Sequence, residues 1–123
     1  MVVGIGTDIV QISRIKDAFE RQGERFAQRI LCSNELGLFN DKNQSIPYLA
    51  KRFAAKEAAS KALGTGIGVI SWQDMEVSND AKGAPMLTFT GSAQVQMASI
   101  GASQVSISLS DEQDYAVAFV VLS

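Results

Sequence analysis

The pattern of apolar and polar positions divides the chain into a helical first half and a second half rich in strands. Residues Val2 to Val10 are mostly β-branched with glycines between them, which predicts a strand. Apolar positions then recur at helical spacing from Ser13 to Ile30, with a break expected near Gly23. A short helix is predicted from Ser33, and a longer one, rich in alanine, from about Tyr48 to Leu63.

The second half changes to a period of two, which is typical of strands. Residues Trp72 to Val77 and Pro85 to Thr90 are predicted to form a hairpin around the turn Asn79 to Gly83, and a short helix is expected from Ser92 to Ile100. Two more strands are predicted, Val105 to Ser110 with serines on one face, and Tyr115 to Leu122, apolar enough for burial on both faces. The order predicts one α+β domain over residues 1–123, in which an N-terminal strand and helices pack on a mainly antiparallel sheet.

The composition is that of an ordinary globular domain. Of 123 residues, 46% are hydrophobic and 20% charged, and the size is one at which oligomerisation helps to build a core. No apolar run approaches the ~20 residues of a membrane span, and no secretory pattern opens the sequence. We therefore expect a cytoplasmic protein without a membrane partner. The net charge of −2 also argues against general nucleic-acid binding.

The absence of histidine limits the chemistry that this chain can perform. It excludes Ser-His-Asp and Cys-His catalysis and any histidine zinc site. The single cysteine, Cys32, cannot form an intrachain disulfide and is expected to pack as a small apolar residue. Chemistry must come from carboxylates, lysine, arginine, hydroxyls, and a hard metal such as Mg²⁺ held by oxygen atoms.

The alanine-rich helix carries the first candidate site. Glu57 and Lys61 lie one turn apart on one face, just before Gly64-Thr65-Gly66. A carboxylate, an ammonium and free backbone N–H groups in one place could hold a metal and a phosphate. The alternative is an exposed i,i+4 pair worth ~0.3–0.5 kcal/mol, followed by a plain glycine helix stop. Asp8 is the second candidate, since it either binds the metal with Glu57 or caps the helix that follows the first strand.

A stripe of one charge is predicted on the first helical region. Arg14, Arg21 and Arg25 fall at i, i+7 and i+11. They form either a solvated face with pairs such as Asp17–Arg21, or a docking surface for an acidic protein partner.

Two stretches of the sequence resemble a known family. Gly4-Ile5-Gly6-Thr7-Asp8-Ile9-Val10 and the segment from Arg52 to Gly66 (RFAAKEAASKALGTG) together closely resemble the holo-[acyl-carrier-protein] synthases. These are the short, bacterial-type branch of the 4′-phosphopantetheinyl transferases. The resemblance runs essentially from end to end and implies the 4′-phosphopantetheinyl transferase-like fold.

The resemblance implies an enzyme that moves 4′-phosphopantetheine from coenzyme A to a serine of apo-acyl carrier protein. The reaction would depend on Mg²⁺, release adenosine 3′,5′-bisphosphate and support fatty acid biosynthesis. Asp8 and Glu57 match the family's Mg²⁺ ligands, and Lys61 matches its phosphate-binding lysine, so these three are the implied catalytic residues. The serine proton would pass either to Glu57 or to a water near the metal.

The resemblance also implies how the substrates are bound. The residues implied at coenzyme A are Arg52, Lys61, Gly64, Thr65 and Gly66. The residues implied to meet the acidic helix of the carrier protein are Arg14, Arg21 and Arg25. Short members of the family are homotrimers that bind coenzyme A between neighbouring subunits, so a homotrimer is expected here.

The chain departs from the family at two positions. Ser106 stands where many relatives have a histidine, and Ala84 stands where many have a lysine before the proline. These changes leave open a non-catalytic relative that binds carrier protein or coenzyme A, or a small oligomer without a site. Because Asp8, Glu57 and Lys61 are all retained, the residues favour the enzyme.

Overall fold

The structure is a computed structural model that describes all residues 1–123, and it confirms an α+β fold. A 3-10 turn at Trp72–Asp74 precedes the second strand. The elements, in chain order, are β1 (Gly4–Gln11), α1 (Ile12–Gln22), α2 (Glu24–Ile30), α3 (Ser33–Asp41), α4 (Ile46–Ala62), β2 (Met75–Asn79), β3 (Pro85–Phe89), α5 (Gly91–Ser99), β4 (Val105–Asp111) and β5 (Tyr115–Leu122).

The strands form two antiparallel sheets. The larger sheet has the order β1-β5-β4, and the smaller one is the β2-β3 hairpin. β1 is an edge strand whose ladder partner is β5, with Gly4 opposite Leu122 and Asp8 opposite Ala118. β4 pairs with the other side of β5. The position of Asp8 therefore depends on a strand that lies more than a hundred residues further along the chain.

Helix α4 packs on one face of the larger sheet through small residues. Its buried alanines are Ala50, Ala54, Ala55, Ala58, Ala59 and Ala62. It meets β1 at Gly4 and Gly6, where a Cβ atom would overlap the carbonyl oxygens of Ala62 and Ala58. Because these glycines have no side chain, the backbones of the strand and the helix come into direct contact. Asp8, the next residue on the same face of β1, is thereby held beside α4.

We expect Gly6→Ala to destabilise the protein by about 1–3 kcal/mol, because the new methyl group must displace the backbone of α4. Urea unfolding of the metal-free protein measures this loss. The matched control is Gly37→Ala in α3, where a Cβ atom meets nothing within 4 Å and should stabilise the helix slightly. Equal stability of the Gly6→Ala variant and the wild type would mean that the contact is not tight.

The core lies on two sides of α4. One group of buried residues fills the space between α4 and the two sheets, and it includes Leu63, Met75 and Val120. A second group lies beneath the first three helices and includes Ile15 and Phe39. No helix combines the length and the apolar character that crossing a membrane requires.

Several element boundaries differ from the predictions. α4 begins at Ile46, before the predicted Tyr48, because the Ser45 hydroxyl accepts a hydrogen bond from the Tyr48 N–H at 3.4 Å and caps the helix. Trp72 lies in the 3-10 turn and not in a strand, since Ser71 accepts from the Gln73 N–H in the same way. The predicted break at Gly23 is confirmed, with a φ of 63°.

The prediction that β5 is buried on both faces is wrong for the single chain. Its even-numbered residues are fully buried against α4, whereas Tyr115 and Phe119 are exposed. The reason is that α4 covers only one side of the sheet. The outer face of the sheet includes Ile5 and Ile9 of β1, Tyr115, Val117 and Phe119 of β5, and the predicted serine row Ser106, Ser108 and Ser110 of β4.

Candidate functional site

Lys61 reaches across from α4 to the first strand. Its Nζ atom lies 3.2 Å from Oδ1 of Asp8 and donates a hydrogen bond to the carbonyl oxygen of Thr7 at 3.1 Å. The alternative of an exposed pair between Glu57 and Lys61 is therefore wrong, because the lysine pairs with Asp8. The capping alternative for Asp8 is also wrong, since Asp8 lies within β1 and α1 begins after Gln11 without a side-chain cap.

The two carboxylates of the site influence each other. Burial raises the pKa of Asp8, and the hydrogen bond and charge of Lys61 only partly oppose this effect. Burial also raises the pKa of Glu57, the charge of Asp8 raises it further, and Lys61 lowers it. Two acidic groups thus share a half-buried place with a single ammonium group. The site holds more negative charge than its own lysine neutralises.

The donor set at this place fits Mg²⁺. It consists of oxygen atoms from Asp8 and Glu57, and no group of three or more acidic, cysteine or histidine side chains gathers anywhere in the chain. Mg²⁺ is commonly bound by one or two carboxylates while it keeps water and substrate phosphate in its remaining positions. Burial is the main cause of the raised pKa of Glu57, and a divalent cation would offset the further contribution from the charge of Asp8.

The glycine exit of α4 does not offer free N–H groups, which favours the alternative of a plain glycine helix stop. The Gly64 N–H donates to the carbonyl of Lys61 at 3.0 Å, and those of Thr65 and Gly66 donate to the carbonyl of Ser60 at 3.2 Å. The end of the helix uses these donors to satisfy its own last carbonyls. Gly64 and Gly66 have φ values of 82° and 71°, a conformation that favours glycine.

Arg52 lies away from Asp8, Glu57 and Lys61 in the single chain. Glu57 lies five positions after it, which places the two residues about 140° apart round the helix. It is buried, its guanidinium lies 4.2 Å from the centre of the Tyr48 ring, and it donates to Asn79 at 3.2 Å. Its Nε atom has no partner. It lines a cleft of about 160 Å³ with Lys51, Asn79, Gly83, Pro85, Leu109 and Asp111.

A second, more apolar groove begins beside Lys61. It has a volume of about 380 Å³, and it is lined by Ile5, Gly6, Thr7, Lys61 and Phe119. Since Ile5 and Phe119 belong to the outer face of the sheet, the groove joins that face to the acidic site.

The basic stripe crosses the break between two helices. Arg14 and Arg21 lie on α1, Arg25 lies on α2, and all three are exposed. None of them forms an ion pair, and the pair expected between Asp17 and Arg21 is absent. The guanidinium groups are therefore available to a partner.

Sequence reasoning missed a buried ion pair next to the site. Lys56 precedes Glu57 on α4, and its Nζ atom lies 2.6 Å from Oε1 of Glu35, with both side chains out of contact with solvent. The sequence signal that could have indicated this burial is the position of Lys56 within a run of alanines. Cys32 packs nearby as expected, and burial is the main reason why the pKa of its thiol rises to about 11. It is therefore protonated at neutral pH and a poor nucleophile.

The sequence matches the family described as the 4′-phosphopantetheinyl transferase superfamily over residues 4–120. The chain therefore belongs to this superfamily. Among curated relatives, the holo-[acyl-carrier-protein] synthase of Halorhodospira halophila is 53% identical and the match covers 99% of this chain and 98% of the relative. The enzyme of the same name from Vibrio parahaemolyticus is 52% identical over 98% of this chain and 97% of the relative.

Solved structures of the same kind of enzyme share the fold. Holo-[acyl-carrier-protein] synthase from Neisseria meningitidis superimposes with a TM-score of 0.93 and is 44% identical. The match covers 100% of this chain and 99% of the Neisseria chain. The Helicobacter pylori enzyme in complex with coenzyme A gives a TM-score of 0.85 at 38% identity, over 97% of this chain and 99% of its own. The predicted fold is confirmed.

Proposed function

We propose that the protein transfers 4′-phosphopantetheine from coenzyme A to a serine of apo-acyl carrier protein and releases adenosine 3′,5′-bisphosphate. The observation that carries this proposal is the convergence of Asp8, Glu57 and Lys61 from two distant parts of the chain. Membership of the superfamily and similarity to holo-[acyl-carrier-protein] synthases support the same reaction. By extension from carrier-protein chemistry, the enzyme would serve fatty acid biosynthesis in the cytoplasm.

Transfer of a phosphoryl group requires positioning and charge neutralisation more than covalent help from the protein. Asp8 and Glu57 would hold Mg²⁺, which when bound would offset the negative charge of the coenzyme A pyrophosphate. Lys61 would exchange its contact with Asp8 for a phosphate oxygen, which an ammonium can bind as a point charge. The nucleophile is the serine of the carrier protein. The chain therefore needs no nucleophile of its own, in agreement with the protonated Cys32.

We infer that one coenzyme A molecule contacts two subunits. Lys61 and Arg52 are both implied at coenzyme A, yet they line different clefts of the single chain. The Lys61 groove opens at the β1 edge of the outer face, and the Arg52 cleft adjoins its β4 edge through Asp111. A neighbour packed on the outer face would bring the β1 edge of one subunit to the β4 edge of the next. The unpartnered Nε of the buried Arg52 is consistent with a ligand at this cleft.

This arrangement supports the homotrimer. An interface between two different edges is heterologous, and such interfaces close into rings when the rotation allows it. The outer face supplies the apolar surface, since Ile5 and Ile9 are 63% and 64% exposed and Phe119 is 44% exposed in the single chain. Exposed apolar patches of this kind are typical of protein–protein interfaces.

We expect Phe119→Asp to shift the protein from trimer to monomer, because a carboxylate cannot be buried there without a partner. Analytical ultracentrifugation measures the mass directly. Val95→Asp is the control, since Val95 is also an exposed apolar residue, 71% exposed, but lies on α5, away from the outer face. If both variants remain trimers, the outer face is not the interface; if the wild type is monomeric, the trimer itself is wrong.

The function is tested with purified protein, Mg²⁺, coenzyme A and an apo-acyl carrier protein. Mass spectrometry should show that the carrier gains one phosphopantetheine group, and that EDTA prevents the gain. The non-catalytic alternative predicts Mg²⁺-dependent coenzyme A binding by calorimetry without any modified carrier. Absence of both coenzyme A binding and phosphopantetheine transfer would contradict both functional hypotheses, and only the assignment of the fold would remain.

A further inference from the structure

The ammonium group of Lys56 is fully enclosed by protein. The residue is 0% exposed, and each of its three donors has an acceptor on a different part of the fold. Nζ donates to the carbonyl of Ile30 at 2.5 Å, to Oε1 of Glu35 at 2.6 Å and to the carbonyl of Trp72 at 3.2 Å. These partners belong to the end of α2, to α3 and to the 3-10 turn before β2.

Glu35 completes the network from the other side. Its Oε1 atom also accepts from the Cys32 N–H at 2.7 Å, and its Oε2 atom accepts from the Val77 N–H at 2.9 Å. Both oxygens of this buried carboxylate are therefore satisfied, and the pair joins α4 to two other helices and to β2. A buried ion pair with all its hydrogen bonds formed restricts the orientation of the elements that it joins, because each hydrogen bond depends on angle as well as on distance.

The contact of helix α4 with β1 is smooth and contributes little to fixing the rotation of the helix. Ala58 and Ala62 present only methyl groups and backbone to Gly4 and Gly6. Helix packing is normally set by side chains that interlock as ridges and grooves, and this interface has none. Nothing in the alanine–glycine contact itself resists a small rotation of α4 about its axis.

A small rotation would matter at Glu57. The side chains of a helix end about 5–6 Å from its axis, so a rotation of about 10° moves a terminal group by about 1 Å. A displacement of this size at a reacting centre can lower a rate by about 10²-fold. Since Lys56 is the residue next to Glu57, an anchor at the Lys56 ammonium limits the rotation of α4 that would displace Glu57.

We propose that Lys56 and Glu35 are positioning residues, which set the rotation of α4 and so aim Glu57 at Asp8. They touch neither the substrate nor the metal and act only through the helix. The kinetic part of this inference rests on the proposed transferase function, whereas the positioning part does not.

The test uses the double variant Lys56→Met/Glu35→Met in the full chain. Each single variant leaves a buried charge without its partner and loses about 3–5 kcal/mol, a large part of the total stability of a small domain. Removing both charges together with residues of similar volume is far less costly. The ¹³C chemical shifts of the Asp8 and Glu57 carboxyl groups, measured at fixed pH without metal or coenzyme A, report their arrangement. We expect both shifts to change, and kcat to fall at least about 10-fold with the KM for carrier protein unchanged.

Tyr48→Phe is the matched control. It removes the hydrogen bond from the Tyr48 hydroxyl to the Glu35 carbonyl at 3.1 Å but leaves the ion pair intact, so stability should fall by about 1 kcal/mol without any change in the carboxyl shifts. A folded double variant with wild-type shifts and kcat overturns the proposal. So does a Tyr48→Phe variant that moves the shifts as far as the double variant does. If the shifts change but even the wild type transfers nothing, the proposed function fails and the positioning role stands.

Discussion

Replacing Glu57 by glutamine, or Asp8 by asparagine, is expected to lower the rate of phosphopantetheine transfer by about 10²–10³-fold. Each change removes one of the two proposed carboxylate ligands of the metal while it keeps the size of the side chain. The expected defect lies in kcat and in the Mg²⁺ concentration required, and it should not appear in the KM for carrier protein. Steady-state kinetics over a Mg²⁺ titration measure all three. Glu20→Gln, an exposed change on α1, is the control and should retain full activity.

The same two variants should be more stable than the wild type when metal is absent. Both carboxyl groups have a pKa above the ordinary value, so the folded protein binds their protons more tightly than the unfolded chain does. The resulting destabilisation is fully present at neutral pH and disappears as the pH falls through the raised pKa values towards the ordinary ones. The neutral amides remove it at every pH. Thermal melts in EDTA at pH 7 should therefore show a higher Tm, most clearly for Glu57→Gln, which lacks a lysine partner of its own.

These two measurements distinguish a functional site from a structural one. Loss of activity together with a gain in stability is the result expected of carboxylates kept for binding a metal. Full activity in either variant would remove that residue from the metal site. A lower Tm with loss of activity would mean that the carboxylate holds the fold together.

Reversing the charges of Arg14 and Arg21 to glutamate is expected to lower kcat/KM for carrier protein by about 10–100-fold. Both side chains are exposed and unpaired, so each reversal replaces an attraction to an acidic partner by a repulsion of similar size. Coenzyme A affinity, measured by calorimetry, should be unchanged because the basic stripe and the clefts lie on different elements. The difference between the variant and the wild type should become smaller at high salt, because dissolved ions screen the attraction between exposed charges. The screening length is ~10 Å at 0.1 M salt and shorter at higher concentrations.

The matched control for the basic stripe is Lys16→Glu with Lys42→Glu. It changes the net charge of the protein by the same amount at exposed positions outside the stripe. If this control lowers carrier use as much as the Arg14/Arg21 variant, the effect is one of overall charge and no docking surface is needed. Equal loss of carrier use and coenzyme A affinity in the Arg14/Arg21 variant would also contradict docking.

The residues of the candidate site could be predicted from their chemical types, but the contacts between them could not. The sequence pointed to Asp8, Glu57 and Lys61 as oxygen and ammonium groups suited to a metal and a phosphate. It could not show that Lys61 reaches Asp8, because that contact depends on two glycines meeting two alanines across the fold. The resemblance to the family implied Asp8 and Glu57 as joint Mg²⁺ ligands, but the contact between Lys61 and Asp8 comes from the structure alone.

Other predictions failed because a local pattern has more than one use. Free N–H groups after Lys61 were one of two possibilities for the glycine exit, but the end of any helix competes for them, and here they bond the carbonyls of Ser60 and Lys61. The run of apolar residues in β5 predicted burial on both faces, yet a single chain covers only one. The sequence did not predict the burial of Lys56, because a lysine in a helix is usually exposed. Only the tertiary structure places the buried carboxylate of Glu35 beside its ammonium group.

The pairing of β1 with β5 also governs when the site can come into existence. The strand that carries Asp8 has one ladder partner, and that partner begins at Tyr115. During synthesis, Asp8, Glu57 and Lys61 emerge from the ribosome long before β5 is made. Until then β1 has no ladder partner, and the three residues belong to an incompletely folded chain. Closing so long a loop is an intrinsically slow step in folding. We infer that metal binding is absent from the nascent chain and arises late, with the docking of the final strand.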